Sequence, residues 1–162
     1  MLEIDTGRPT SVTGQDGVGA AGATTLITLI TDLPYGPKAA EIARGAVAVA
    51  LHGTAGDLLD DARLITSELT TNAFASGSPP LVLCVDRRDQ TSGGLEVEIT
   101  VTDGGCTHPA PSASPILGEE AESGRGLVIV GALADAWSLT TGAHGTRAWC
   151  LLTRAARPKA RT

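Results

Sequence analysis

The segment Glu68-Leu69-Thr70-Thr71-Asn72 decides how this chain is interpreted. Four residues make about one turn of a helix, so the Glu68 carboxylate and the Asn72 amide would project from the same face. One carboxylate and one neutral oxygen ligand suit a hydrated Mg²⁺ ion and an attacking nucleophile. The alternative is an ordinary solvated helix face, and the segment alone does not decide between the two.

The surrounding residues predict that this segment lies in a helix from Asp57 to about Ala75. Asp57 can cap the N-terminus, and Ser76-Gly77-Ser78-Pro79-Pro80 stops the helix. Apolar residues recur between them at spacings of three and four and form a buried stripe, at Leu58, Ala62, Ile65 and Leu69. Because Glu68 and Asn72 lie beside that stripe, they are expected to face a crevice.

Periodicity and turn residues predict the other elements. Strands are expected at 24–33, 81–86, 95–102, 137–141 and 146–153, and further helices at 38–51 and about 124–135. The helix at 38–51 has its expected apolar side at Ile42, Ala46, Val49 and Ala50. This order predicts an α+β fold, a two-layer sandwich of a mixed, mostly antiparallel sheet with helices on one face.

The expected domain covers residues 24–153. Residues 1–23 are predicted to be a disordered leader, 104–123 a lid over a site, and 154–162 a flexible basic tail. The hydrophobic fraction of 42% and the charged fraction of 19% are typical of a globular chain. A net charge of −6 argues against direct nucleic-acid binding, which needs a basic surface.

The composition also bears on location. No signal-peptide pattern is visible in the first 23 residues, and no apolar run of about eighteen residues predicts a membrane span. Three cysteines without metal-ligand spacing fit a reducing cytoplasm. Two of them, Cys84 and Cys150, lie in apolar strand patterns and are expected in the core.

Two glycine-containing motifs follow the Glu68–Asn72 helix. Asp103-Gly104-Gly105 comes directly after a predicted strand, and Gly124-Arg125-Gly126-Leu127 opens a predicted helix. Free amides and the dipole at a helix N-terminus attract anions, and Arg125 could add a charged contact. Each motif also has an ordinary interpretation, as an Asp-Gly turn and as a helix start with flexible glycines.

The order of these motifs resembles the ATP-binding fold shared by gyrase, the ninety-kilodalton heat-shock chaperones, histidine kinases and mismatch-repair ATPases. The similarity is greatest to the small histidine-kinase-like ATPase domains of actinobacterial anti-sigma regulatory proteins, which are related to the serine kinases that restrain sporulation and stress sigma factors. It covers about residues 25–153. The segments that carry it are SELTTNA (67–73), VTDGG (101–105), SGRGLVIVGALADAW (123–137) and GTRAW (145–149).

The resemblance implies that the cofactors are ATP and Mg²⁺. Asn72 would supply its side-chain oxygen to the metal ion, and Glu68 would be the catalytic group that polarises a water or a substrate hydroxyl. The polyphosphate would lie at Gly124, Arg125, Gly126 and Leu127. At the other end of the nucleotide, Asp103 would accept a hydrogen bond from the adenine amino group. Gly105 would let the backbone approach the base, and Thr146 would help to hold it.

By the same resemblance, the protein would be an anti-sigma factor with serine-protein kinase activity. Its partners would be a sigma factor and a small anti-anti-sigma protein of the STAS type, and homodimers are typical of such kinases. Two alternatives stay open, a non-catalytic nucleotide-binding regulatory module and a slow ATPase. Ser76 stands where many relatives carry a histidine, and Thr107 stands where the second glycine of Asp-x-Gly-x-Gly would be.

Overall fold

The computed structural model of the chain describes residues 24–54, 56–105 and 122–156. The predicted leader, most of the predicted lid and most of the predicted tail lie outside these residues. Five strands and three helices form within them, in the order β1 (Thr25–Leu33), α1 (Ala39–Ala50), α2 (Gly56–Ser76), β2 (Leu81–Asp89), β3 (Leu95–Thr102), α3 (Glu122–Leu133), β4 (Ala136–Gly142) and β5 (Gly145–Arg154).

The strands form one sheet in the order β1-β2-β3-β5-β4, in which every neighbouring pair is antiparallel. Alternate residues of β2 differ in burial: Leu81, Leu83 and Val85 are fully buried, whereas the side chains between them are partly exposed. The helices cover the face that carries the buried residues. The predicted α+β fold with helices on one face of the sheet is therefore confirmed, and the sheet, predicted to be mixed and mostly antiparallel, is antiparallel throughout the described residues.

Helix α2 is the central helix of the layer, since it packs against α1, α3 and the sheet. Its predicted stripe is confirmed, because Leu58, Ala62, Ile65 and Leu69 are all buried. The helix begins at Gly56, one residue before the predicted cap. Asp57 therefore lies in the first turn, where its carboxylate accepts a hydrogen bond from Leu58 N at 2.9 Å.

The predicted apolar side of α1 is largely wrong. Ile42 and Val49 are 44% and 70% exposed, and the helix buries Ala39, Ala43, Val47 and Ala50 instead. Three of these four residues are alanines, whose small side chains let the backbone of α1 approach α2 and the sheet closely. Close approach, rather than side-chain size, selects the buried face of this helix. None of the helices in the described part of the chain is long and apolar enough to cross a bilayer.

The two cysteines in strands have different environments. Cys150 is fully buried, as predicted, and burial raises the pKa of its thiol to about 12. Cys84 lies on the face of the sheet opposite the helices and is only partly buried, so its assignment to the core is wrong. Burial and the neighbouring Asp86 carboxylate raise the pKa of the Cys84 thiol as well. Both thiols are therefore kept protonated at neutral pH.

Strand β2 continues three residues beyond its predicted end, since residues 87–89 pair with both β1 and β3, and Arg87 in this extension contacts the end of α1. Its guanidinium donates a hydrogen bond to His52 O at 2.9 Å, just past the last turn of α1, and forms an ion pair with Asp89 at 2.9 Å. The last carbonyls of a helix have no partners within it. Arg87 therefore provides, from strand β2, a hydrogen-bond donor for the carbonyl groups at the end of α1.

We predict that Thr70→Val stabilises the protein. The Thr70 hydroxyl is buried in α2 and has no hydrogen-bond partner within the described part of the chain. Replacing it with a methyl group of similar shape removes an unpaired polar atom, so the free energy of unfolding should rise by about 1 kcal/mol. Urea denaturation measures the change.

Thr66→Val is the matched control, one turn earlier in the same helix. Thr66 is equally buried, but its hydroxyl donates to Ala62 O at 2.7 Å, so its removal should bring no gain. A lower free energy of unfolding for Thr70→Val than for the parent would contradict the prediction.

Candidate functional site

Asp103 comes immediately after β3 and, at 9% exposure, is the one charged residue that is buried in the described part of the chain. Its Oδ1 atom accepts hydrogen bonds from Gly105 N at 2.7 Å and Thr146 N at 3.3 Å. The Asp103 amide in turn donates to Thr146 O at 3.0 Å. The structure thus brings together the predicted site residues Asp103, Gly105 and Thr146, although Asp103 and Thr146 are 43 residues apart in the sequence.

Glycines make this approach of two chain segments possible. Gly105 and Gly145 have φ angles of +92° and +132°, in the region that side chains disfavour. A Cβ atom on Gly105 would lie 3.0 Å from Gly145 Cα, and one on Gly145 would overlap Asp103 O. Gly145 was not among the predicted site residues. The turn Gly142-Ala143-His144-Gly145, between the strands expected at 137–141 and 146–153, predicts a hairpin but not the contact of Gly145 with Asp103.

A third segment closes around Asp103 from the end of α2. A Cβ atom on Gly77 would lie 2.6 Å from Asp103 Oδ2, so only glycine fits at that point. Ser78 O accepts a hydrogen bond from Gly104 N at 2.6 Å, and Ser78 Oγ donates to Gly105 O at 2.7 Å. The sequence indicated this segment only as a helix stop. Its contact with the Asp-Gly-Gly loop was missed.

Glu68 and Asn72 form a second group with Gly126. Both side chains are partly buried on the flank of α2 that faces α3, and Gly126 is buried against them. A Cβ atom on Gly126 would lie 2.7 Å from Glu68 Oε2 and 3.5 Å from Asn72 Oδ1. Since no side chain intervenes, the backbone of α3 comes directly to the acid and the amide.

The remaining residues of the glycine motif lie at the start of α3. The helix begins at Glu122, two residues earlier than predicted, so the motif lies within its first turns and not ahead of them. Gly124 and Arg125 are exposed, while Leu127 is partly buried and packs against the core. The exposed Arg125 can therefore reach an anion near the helix start, where amides lack partners within the helix.

A shallow cavity of about 310 Å³ adjoins Asp103, lined by Thr102, Asp103, Thr140, Gly142, Ala143, His144, Gly145, Thr146 and Arg147. It contains neither Glu68 nor Asn72. Thr102 and Arg147 are paired across β3 and β5 and alternate with the buried Val101 and Ala148. The cavity therefore opens toward the face of the sheet opposite the helices, and of the predicted site residues it includes only Asp103 and Thr146.

The donor set fits a magnesium nucleotide. No group of three His, Cys, Asp or Glu side chains within the described ranges is placed to hold a metal ion. Glu68 and Asn72 contribute oxygens from one helix flank, and Mg²⁺ commonly takes only one or two protein ligands, with water and phosphate completing its shell. The Asp103 clasp, formed around this carboxylate by Gly77, Gly105 and Gly145, provides a second polar group just past the C-terminal end of the same helix.

The sequence was also compared with known proteins. A family model described as a histidine kinase-like ATPase domain matches residues 35–150. The match includes α2, the Asp103 loop, α3 and nearly all of the closing hairpin. No curated protein matches the sequence.

We predict that Gly145→Ala destabilises the protein strongly, because the new methyl group would overlap Asp103 O at a backbone angle that side chains disfavour. A loss of about 3 kcal/mol in the free energy of unfolding is expected from the combined strain and overlap. Gly142→Ala, in the same hairpin, is the control. No atom lies within 4 Å of its Cβ position, so its effect should be small. Equal effects of the two substitutions in thermal denaturation would contradict the packing described for Asp103.

Proposed function

The chain belongs to the family of histidine kinase-like ATPase domains, and we propose that it is an ATP- and Mg²⁺-binding anti-sigma factor with serine-protein kinase activity. The observation that carries the proposal is that α2 connects two polar parts of the site, the Glu68–Asn72 pair and the Asp103 carboxylate. Glu68 and Asn72 lie against Gly126 on the flank of that helix, and Asp103 lies against Gly77 just past its end.

The Asp103 carboxylate is suited to recognise adenine. Oδ1 is satisfied by two backbone amides, and no donor in the described part of the chain contacts Oδ2. An ionised carboxylate can only accept, so Oδ2 would pair with the amino group of adenine and not with the six-position oxygen of guanine. The two amides on Oδ1 would keep that oxygen in place.

The other end would hold the phosphates and the metal ion. Asn72 would ligate Mg²⁺, and the segment Gly124 to Leu127 would lie against the phosphates, with the Arg125 guanidinium as the charged contact and the free amides at the start of α3 as further donors. When bound, the metal ion would neutralise phosphate charge. Glu68 would take the proton from the serine hydroxyl of a protein substrate. Its carboxylate is partly buried and lies against Gly126, where there is no side chain.

The proposed partners are a sigma factor and a small anti-anti-sigma protein, the latter being the kinase substrate. Both would act in the cytoplasm, where this chain would restrain transcription. Homodimerisation is part of the same proposal. The net charge of −6 is compatible with a basic protein surface on one of these partners.

A non-catalytic regulatory module is the second candidate, and the substitution that favours it is Ser76 at the place where many relatives carry a histidine. In that case the nucleotide would tune partner binding without phosphoryl transfer. A transcription assay separates the two functions, because Glu68→Ala would leave sigma restraint intact in a non-catalytic module.

We predict that calorimetric titration detects ATP binding that requires Mg²⁺ and is at least about tenfold tighter than GTP binding, the effect of one hydrogen bond to a charged group. Asp103→Asn should lose this preference, because an amide offers both a donor and an acceptor. Asp135→Asn is the control, since Asp135 also accepts a backbone hydrogen bond, from Thr153 N at 2.6 Å, but lies outside the site. Absence of ATP binding to the parent protein would overturn the proposed function.

We predict that Glu68→Gln retains ATP binding but lowers serine labelling of an anti-anti-sigma partner by about 100-fold, the usual contribution of a general base. Labelled ATP and mass spectrometry measure the transfer. Glu41→Gln, on the exposed first turn of α1, is the control and should transfer normally. Tight ATP binding without any labelled serine would exclude the kinase, and phosphate release without a partner would identify a slow ATPase.

A further inference from the structure

Tyr35, in the loop between β1 and α1, contacts the end of α2. Its hydroxyl has one proton to donate and lies 2.6 Å from Gly77 O and 3.0 Å from Phe74 O. Its ring meets the Phe74 ring edge-on, with the centroids 5.1 Å apart. Because the last carbonyls of a helix have no partners within it, this hydroxyl satisfies the end of α2 from outside the helix.

Gly77 connects this contact to the candidate site. The Gly77 carbonyl accepts a hydrogen bond from the Tyr35 hydroxyl, and the Gly77 amide donates to Ala73 O at 2.9 Å. The Cα atom of Gly77 lies against the Asp103 carboxylate. There is room for its hydrogen atom but not for a methyl group, since a Cβ would come within 2.6 Å of Oδ2. A shift of Gly77 therefore changes the space next to Oδ2 directly.

We infer that Tyr35 is a positioning residue for nucleotide recognition, because its hydroxyl holds Gly77 against Asp103 and so fixes the oxygen that selects the base. The inference rests on the proposed binding of adenine by Asp103. Tyr35 itself is 38% exposed and lies in a loop, so it acts through the end of α2 and not through contact with the ligand. Ser78, the next residue, extends the same clasp through its hydrogen bonds with Gly104 and Gly105.

Tyr35→Phe tests the role of the hydroxyl, because it keeps the ring contact with Phe74. The ratio of ATP to GTP affinity, measured by calorimetry, should fall by about fivefold, the effect of one lost hydrogen bond. Thr54→Val is the matched control. The Thr54 hydroxyl donates to Leu51 O at 2.8 Å just beyond α1, the same type of contact at a different helix end. This variant should keep the parent ratio.

A second measurement does not depend on the nucleotide. Hydrogen exchange of the Gly105 and Thr146 amides, which donate to Asp103 Oδ1, should accelerate in Tyr35→Phe without ligand and stay unchanged in Thr54→Val. A parent protein that binds no nucleotide would overturn the proposed function and, with it, the selectivity role. Unchanged amide exchange, or an unchanged affinity ratio in Tyr35→Phe with ATP still bound by the parent, would overturn the positioning role alone.

Discussion

The packing around the Asp103 carboxylate is the constraint on which the candidate site depends. Three segments of the chain meet at this group: the loop after β3, the residues that follow α2, and the turn between β4 and β5. They approach so closely that glycine is required in each, at Gly105, Gly77 and Gly145. Burying a carboxylate is costly unless it accepts hydrogen bonds, and here the backbone amides of two segments donate to Oδ1. The same contacts therefore complete the fold and orient the group.

Helix α2 connects the packing around Asp103 to the rest of the site. One side of the helix forms the apolar core, and the adjacent flank presents Glu68 and Asn72 to α3. The residues that follow the helix are held by two contacts. The Tyr35 hydroxyl donates to Gly77 O, and Ser78 Oγ donates to Gly105 O. A rigid helix therefore sets the separation between the acid–amide pair and the Asp103 clasp. Sites built on such elements hold their groups more accurately than sites built on loops alone.

Family membership and the site geometry bear on different parts of the function. The family establishes a histidine kinase-like ATPase domain, which supports nucleotide binding. The destination of the phosphoryl group depends on what approaches Glu68, and a fold does not specify that. The geometry contributes the Glu68 carboxylate, which is partly buried and lies beside the backbone of Gly126. That arrangement is what makes phosphoryl transfer to a partner the function proposed for this chain.

The sequence by itself determined the α+β class, the buried stripe of α2 and the identity of the polar motifs, because these depend on local periodicity and residue type. It failed for α1, where alanines are buried and larger residues exposed, and for the first residue of α3, which no capping residue marks. The tertiary structure alone decided that Gly77 and Gly145 lie beside Asp103 and that Tyr35 contacts the end of α2 at Gly77. These contacts join residues far apart in the chain through backbone approach, and close approach leaves no periodic signal in a sequence.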